Sequence, residues 1–201
     1  MNNLIGIICG SFNPIGIHHL IMGQTVLNNL NMKKIVYVPV SDKYQKDSLK
    51  NSVNETHRVE MLKLAIKDNP KFELNLVEIL NNSKQLKTID TLGILSKSYN
   101  NKLALIIGSD NLIGLPSWHK VEDLLKNYKV IVVTRGSDTL EEIIKSNDLL
   151  YRYKDNIIEV NVVNTDISST LIRNNIRNNK SINYLTSHKV VNYIHENSLY
   201  L

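Results

Sequence analysis

A chain of 201 residues, 42% hydrophobic and 21% charged, has the make-up of a soluble globular protein, which excludes disorder over most of its length and suits a single domain over residues 1–201. Twenty-four Lys and Arg against nineteen Asp and Glu give a net charge of +5, scattered without a polybasic arm, so a phosphate-rich small substrate satisfies it as well as a polyanion does. No apolar run reaches the ~18–20 residues of a membrane span, no basic region precedes the first apolar stretch, and the single cysteine, Cys9, fits a reducing, cytoplasmic setting.

The chain reads as strands alternating with helices. An apolar run at 4–9, closed by Gly10 and Pro14, predicts a buried strand, and helical spacing of apolar residues predicts a helix over 19–30. A second strand is expected at 35–38, stopped by Pro39. The polar stretch 41–53 is long for an α/β connection, and loops of that length are often functional. Asn54 is placed to cap a helix over 55–67. A strand at 72–79, a helix at 89–98 and a fully apolar strand at 103–107 follow. Then come a helix at 121–127, a strand at 129–133, a helix at 140–150 and a short strand at 157–162. The C-terminal segment reads as helical, most clearly over 168–175 and 189–197. Continuously apolar strands between amphipathic helices imply an α/β fold whose mainly parallel sheet is covered on both faces. In such sheets ligands bind beyond the carboxyl ends of the strands.

Three segments at those ends carry chemistry. After the first strand come Gly10, Ser11, Phe12, Asn13 and Pro14, and then His18 and His19. Gly10 lets backbone approach a ligand, the helix start favours an anion, and His19 in the first turn would meet a phosphate. After the strand ending at Ile107, Gly108-Ser109-Asp110 offers a carboxylate to ribose hydroxyls. Ser168, Ser169 and Thr170 place three hydroxyls at a helix start with Arg173 about one turn on, a second phosphate cradle. Singly, each has a plain structural explanation as a turn, a cap or a surface histidine. Their weight comes from their order along the chain.

That order resembles the adenylyltransferases that make dinucleotides from nicotinate or nicotinamide mononucleotide. The motifs are Gly10-Ser11-Phe12-Asn13-Pro14-Ile15 with His19-Leu20, and Ile167-Ser168-Ser169-Thr170-Leu171-Ile172-Arg173. Residues 39–46, His57-Arg58 and Met61 look like the loop and helix of the eukaryotic-type members. Thr88-Ile89-Asp90-Thr91-Leu92, Gly108-Ser109-Asp110 and Leu115-Pro116-Ser117-Trp118 look more like the bacterial nicotinate enzymes, and Val133-Thr134-Arg135 fits both. Where many members read His-x-Gly-His, this chain reads Gly16-Ile17-His18-His19.

The resemblance implies a Rossmann-like three-layer fold and direct adenylyl transfer from ATP, carried with Mg²⁺ on its phosphates, to a pyridine mononucleotide. It assigns His19 and Arg173 to catalysis. ATP is expected at Gly10, Ser11, Phe12, His19, Gly108, Asp110, Ser168, Ser169, Thr170 and Arg173, and the mononucleotide at Tyr44, Lys46, Thr88, Asp90, Thr91, Trp118 and Arg135. Trp118, otherwise a core residue by default, would stack on the pyridine ring. Cys9 reads as a buried small hydrophobe. No protein metal site, nucleic-acid partner or membrane partner is expected, and a homo-oligomer is compatible with the chain. Two rival readings are a related adenylyltransferase with another phosphate acceptor, such as phosphopantetheine, and a non-catalytic nucleotide-binding protein. A nucleic-acid binder is the weakest, lacking a basic stripe and an aromatic platform.

Overall fold

The computed structural model describes residues 3–43, 53–81, 85–100, 102–135 and 139–201, and of Arg135 the backbone only. Six strands form one sheet: β1 (Leu4–Gly10), β2 (Lys34–Pro39), β3 (Phe72–Leu74), β4 (Lys102–Gly108), β5 (Lys129–Arg135) and β6 (Ile157–Val162), in the order β3-β2-β1-β4-β5-β6. β1 runs parallel to β4, β4 to β5 and β5 to β6, with Ile7 opposite Leu105, Ile107 opposite Val132 and Val133 opposite Val160. Parallel strands covered on both faces must be apolar throughout, and Ile5, Ile35, Val36, Ala104, Val130 and Ile131 have no exposure at all. The strand order reverses between β1 and β4, the kind of switch point beyond which α/β sheets bind ligands.

The helices are α1 (Ile17–Asn29), α2 (Glu55–Ile66), α3 (Val77–Leu80), α4 (Thr88–Tyr99), α5 (Ser109–Gly114), α6 (Val121–Asn127), α7 (Leu140–Lys145), α8 (Asp148–Arg152), α9 (Ser169–Arg177) and α10 (His188–Glu196). Asn54 caps α2 as expected, its side chain accepting from the His57 N–H at 3.1 Å. The α/β class, the parallel sheet and the helical C-terminal segment are as the sequence implies. Among the described residues no helix is long and apolar enough to cross a membrane.

Three local expectations are corrected. The strand expected at 72–79 stops at Leu74, because the Asn75 side chain accepts from the Val77 N–H at 3.0 Å and starts α3 instead. The helix expected over 140–150 is two helices, because Asn147 accepts from the N–H groups of Leu149 and Leu150 at 3.0 and 3.2 Å and caps a new one. Cys9 is half-buried, at the end of β1 where the chain leaves the core.

The chain forms two compact units. One comprises Met1–Ile8, Met22–Val36 and Leu86–Asn164; the other comprises Cys9–Ile21, Tyr37–Gln85 and Thr165–Leu201. The first is built on the β4–β5–β6 ladder, and its buried residues include Leu92, Leu95, Leu112 and Leu124. In the second, α10 packs on α2 and the buried set includes Phe12, Ile15, Tyr37, Met61 and Leu62.

Candidate active site

In the second unit the loop that leaves β1 is held by side chains from far along the chain. The Arg173 guanidinium donates to the Asn13 carbonyl at 2.6 Å and to Thr170 Oγ1 at 3.1 Å. The Ser169 hydroxyl donates to the Pro14 carbonyl at 2.8 Å, and Thr186 donates to the Ile15 carbonyl at 2.6 Å. The Ile17 N–H donates to the Leu185 carbonyl at 2.8 Å. The start of α9 is therefore docked on the loop that enters α1. Each helix start carries unsatisfied N–H groups and the positive end of a dipole, so two anion-favouring ends share one unit.

The three hydroxyls of this cradle have separate duties. Ser168 Oγ accepts from the Leu171 N–H at 3.1 Å and caps α9. Thr170 Oγ1 accepts from Arg173, whereas Ser169 spends its proton on Pro14. A hydroxyl that accepts keeps its own proton to offer, so Ser168 and Thr170 can donate to an anion while Ser169 builds the loop. Arg173 is half-buried, and burial draws its pKa below the ordinary arginine value, Tyr200 opposing the shift and Arg177 adding to it.

His19 lies in the first turn of α1 with its Nδ1 accepting from the Gly16 N–H at 3.1 Å. A nitrogen that accepts carries no proton, so the neutral ring holds its hydrogen on Nε2 and presents it as a donor. Phe12, buried and with a left-handed φ of 46°, sets its ring edge-to-face on His19 at 5.2 Å and on Tyr37 at 5.9 Å. The Tyr37 hydroxyl donates to the His19 carbonyl at 3.2 Å, and burial pushes its pKa well up, so it remains a donor. The His18 ring lies against His19, with centroids 3.8 Å apart and the planes tilted by 38°. It occupies the space beside Gly16, where a Cβ would lie 2.6 Å from it. Glycine at 16 and histidine at 18 are thus sterically coupled.

In the first unit, Gly108 caps α5, and a Cβ there would meet the Asp110 carboxylate at 2.5 Å. The missing side chain makes room for that exposed acid. Thr88 opens α4 and is half-buried, Thr91 is fully buried, and Asp90 accepts from the Lys87 N–H at 3.1 Å, capping its own helix. Trp118 follows a 3₁₀ turn at Leu115–Ser117 and is half-buried, not a core residue. Arg135 ends β5, while Tyr44 and Lys46 lie outside the described residues. Among the described residues no three His, Cys, Asp or Glu side chains gather as a metal-holding group.

Sequence reasoning named Arg58 only within a resembling segment and gave it no role. Its side chain is completely buried and donates to the Ser11 carbonyl at 2.6 Å, the Val40 carbonyl at 2.6 Å and Asp42 Oδ1 at 2.8 Å. The signal was available: Arg58 stands three and four residues before Met61 and Leu62, on the inward stripe of its helix, where an arginine needs a reason.

A parallel α/β sheet with two helix-start anion cradles and an acid after a central strand defines a nucleotide-handling fold. The sequence profile of the cytidylyltransferase-like family matches residues 7–175. The chain is 36% identical over 197 residues to the "Nicotinate-nucleotide adenylyltransferase" of Bacillus subtilis strain 168, covering 98% of this chain and 97% of that one. It is 37% identical over 196 residues to a "Probable nicotinate-nucleotide adenylyltransferase" of Caldicellulosiruptor saccharolyticus, covering 98% of each. Its fold matches that of Plasmodium falciparum nicotinic acid mononucleotide adenylyltransferase complexed with APC, at a TM-score of 0.76 and 22% identity over 98% of this chain and 97% of that one. The chain belongs to the cytidylyltransferase-like family and, within it, to the nicotinate-nucleotide adenylyltransferases.

Proposed function

We propose that this chain transfers the adenylyl group of ATP to nicotinate mononucleotide, a step of NAD biosynthesis, with nicotinamide mononucleotide as a poorer acceptor. A phosphate oxygen of the mononucleotide bonds to the α-phosphorus of ATP, the bond from that phosphorus to the β-bridging oxygen breaks, and pyrophosphate leaves with the oxygen. The products are the dinucleotide and pyrophosphate, and no enzyme nucleophile takes part. The protein's task is positioning and charge stabilisation.

The observation that carries this reading is the clamp of Arg173 on the Asn13 carbonyl at 2.6 Å, which joins the starts of α1 and α9 into one anion cradle. In it, His19 Nε2–H and Arg173 meet the phosphates in the transition state, with Gly10, Ser11, Phe12, Ser168, Ser169 and Thr170 around the nucleotide. Gly108 and Asp110 take the ribose. Tyr44, Lys46, Thr88, Asp90, Thr91, Trp118 and Arg135 serve the mononucleotide, Trp118 as a stacking face. ATP enters as its Mg²⁺ complex, the ion riding on the phosphates and largely water-ligated. Residues 1–201 work as one catalytic domain, in the cytoplasm, on small nucleotides.

The test is turnover by the full chain with Mg-ATP and each of three acceptors: nicotinate mononucleotide, nicotinamide mononucleotide and phosphopantetheine. Equimolar dinucleotide and pyrophosphate, with the larger kcat/KM for nicotinate, is the expected result. Turnover with phosphopantetheine alone makes it a transferase of another class. ATP binding without turnover on any acceptor makes it a binding protein.

A further inference from the structure

The proposed reading leaves unexplained why α2 buries a guanidinium. Packing alone does not require one, since a buried ion pair is commonly replaceable by apolar side chains without loss of stability. Among the described residues Arg58 also has a single ionic partner, Asp42, whose side chain is 39% exposed. What distinguishes Arg58 is where its donors go. One nitrogen holds the Ser11 carbonyl, in the loop after β1; the other holds the Val40 carbonyl and Asp42, in the loop after β2. The clasp is closed from the other side, as Asp42 Oδ2 accepts from the Glu55 N–H at 2.7 Å and Glu55 Oε2 accepts from the Asp42 N–H at 2.9 Å.

We propose that Arg58 is a positioning residue for nucleotide phosphate: by fixing the Ser11 carbonyl it fixes the direction of the Phe12 N–H, which it turns toward the bound ATP. The Ser11–Phe12 peptide is trans, so its carbonyl and its N–H point in opposite directions across one rigid plane. One charge-assisted bond of 2.6 Å holds that plane more firmly than a neutral contact would, and the other nitrogen of the same rigid fork is anchored on the Val40 carbonyl at 2.6 Å, so the guanidinium cannot swing away. The next residue, Phe12, has a φ of 46°, a region that a bulky residue occupies only where its surroundings over-determine it. The clasp on one side and the buried ring against His19 and Tyr37 on the other supply that constraint. Arg58 touches no substrate; it acts through the loop.

The inference rests on the reading of this loop as an ATP cradle, and calorimetric titration of Mg-ATP into the full chain separates the two. Arg58→Met, folded by circular dichroism, should bind ATP at least tenfold more weakly at an unchanged stoichiometry of about one per chain, and Arg58→Lys should recover part of the loss. A purely structural role would instead lower the stoichiometry and leave Kd where it was. An Arg58→Met protein with Kd within twofold of wild type overturns the proposal. Should that variant not fold, Asp42→Asn decides, because it loosens the clasp from an exposed position without emptying the core: weaker ATP binding supports the role, and unchanged binding overturns it. A wild-type chain that binds ATP yet forms no dinucleotide removes the transferase reading while the titrations still decide on Arg58.

Discussion

His19 shows how one backbone bond sets the chemistry of a side chain. The Gly16 N–H occupies Nδ1, so the neutral ring carries its hydrogen on Nε2, the atom that the proposed function directs at a phosphate. Such a donor serves mainly the transition state, and its loss affects rate more than binding. His19→Ala should lower kcat by about 10²–10³-fold, with a melting temperature near that of wild type; steady-state kinetics and a thermal melt check this. The neighbouring pair is a second residue-scale case. Gly16 and His18 share one space, a Cβ on 16 lying 2.6 Å from the His18 ring. Gly16→Ala should destabilise by roughly 1–3 kcal/mol with His18 present and much less in a His18→Ala background. A double-mutant cycle by denaturant unfolding measures that coupling. The sequence displayed both residues but not their contact, which depends on the turn between them. Arg58 was legible in principle, as an arginine on an apolar stripe, whereas the left-handed Phe12 was not. Nothing in a phenylalanine's local preference announces a φ of 46°, which tertiary packing imposes.

At the level of elements, Ser168 divides two explanations that sequence reasoning could not separate. Its oxygen caps α9 through the Leu171 N–H, while the proposed function gives its proton to a nucleotide phosphate. Ser168→Ala should cost about 1 kcal/mol of stability by losing the cap. Ser168→Asp should keep the cap and stability but place a negative charge in the anion cradle, weakening ATP binding more than the alanine does. Unfolding curves and ATP titrations on the two variants check the split, and equal ATP affinities would remove Ser168 from the phosphate site. The buried strands were readable because their centres are unbroken apolar runs: Leu103 to Ile107 in β4 and Val130 to Val133 in β5. The misread stretches at 72–79 and 140–150 failed for one reason. In each an asparagine, Asn75 or Asn147, takes a backbone N–H two residues on and restarts the chain as a helix, a local choice that apolar spacing does not report.

Over the whole molecule, the parallel sheet was legible from its apolar strands, but the partition of the chain was not. Composition shows no linker, yet the backbone passes between the two compact units within β1, within α1 and within β2. Neither unit is a continuous segment. The nucleotide loop bears the consequence in time as well as in space. Asn13, Pro14 and Ile15 are synthesised well before the side chains that engage their carbonyls, those of Arg173, Ser169 and Thr186, at sequence separations of 160, 155 and 171. At about 5–20 residues per second, the loop waits roughly 8–35 s on the ribosome for the side chains that shape it. Ribosome-bound chains stalled before Ser168 should therefore fail to be retained on immobilised ATP, whereas released chains carrying α9 and α10 should be retained. Retention of the stalled chains would show that the loop forms unaided. On the proposed reading, failure of the stalled chains to be retained would mean that translation itself withholds the nucleotide until α9 and α10 arrive.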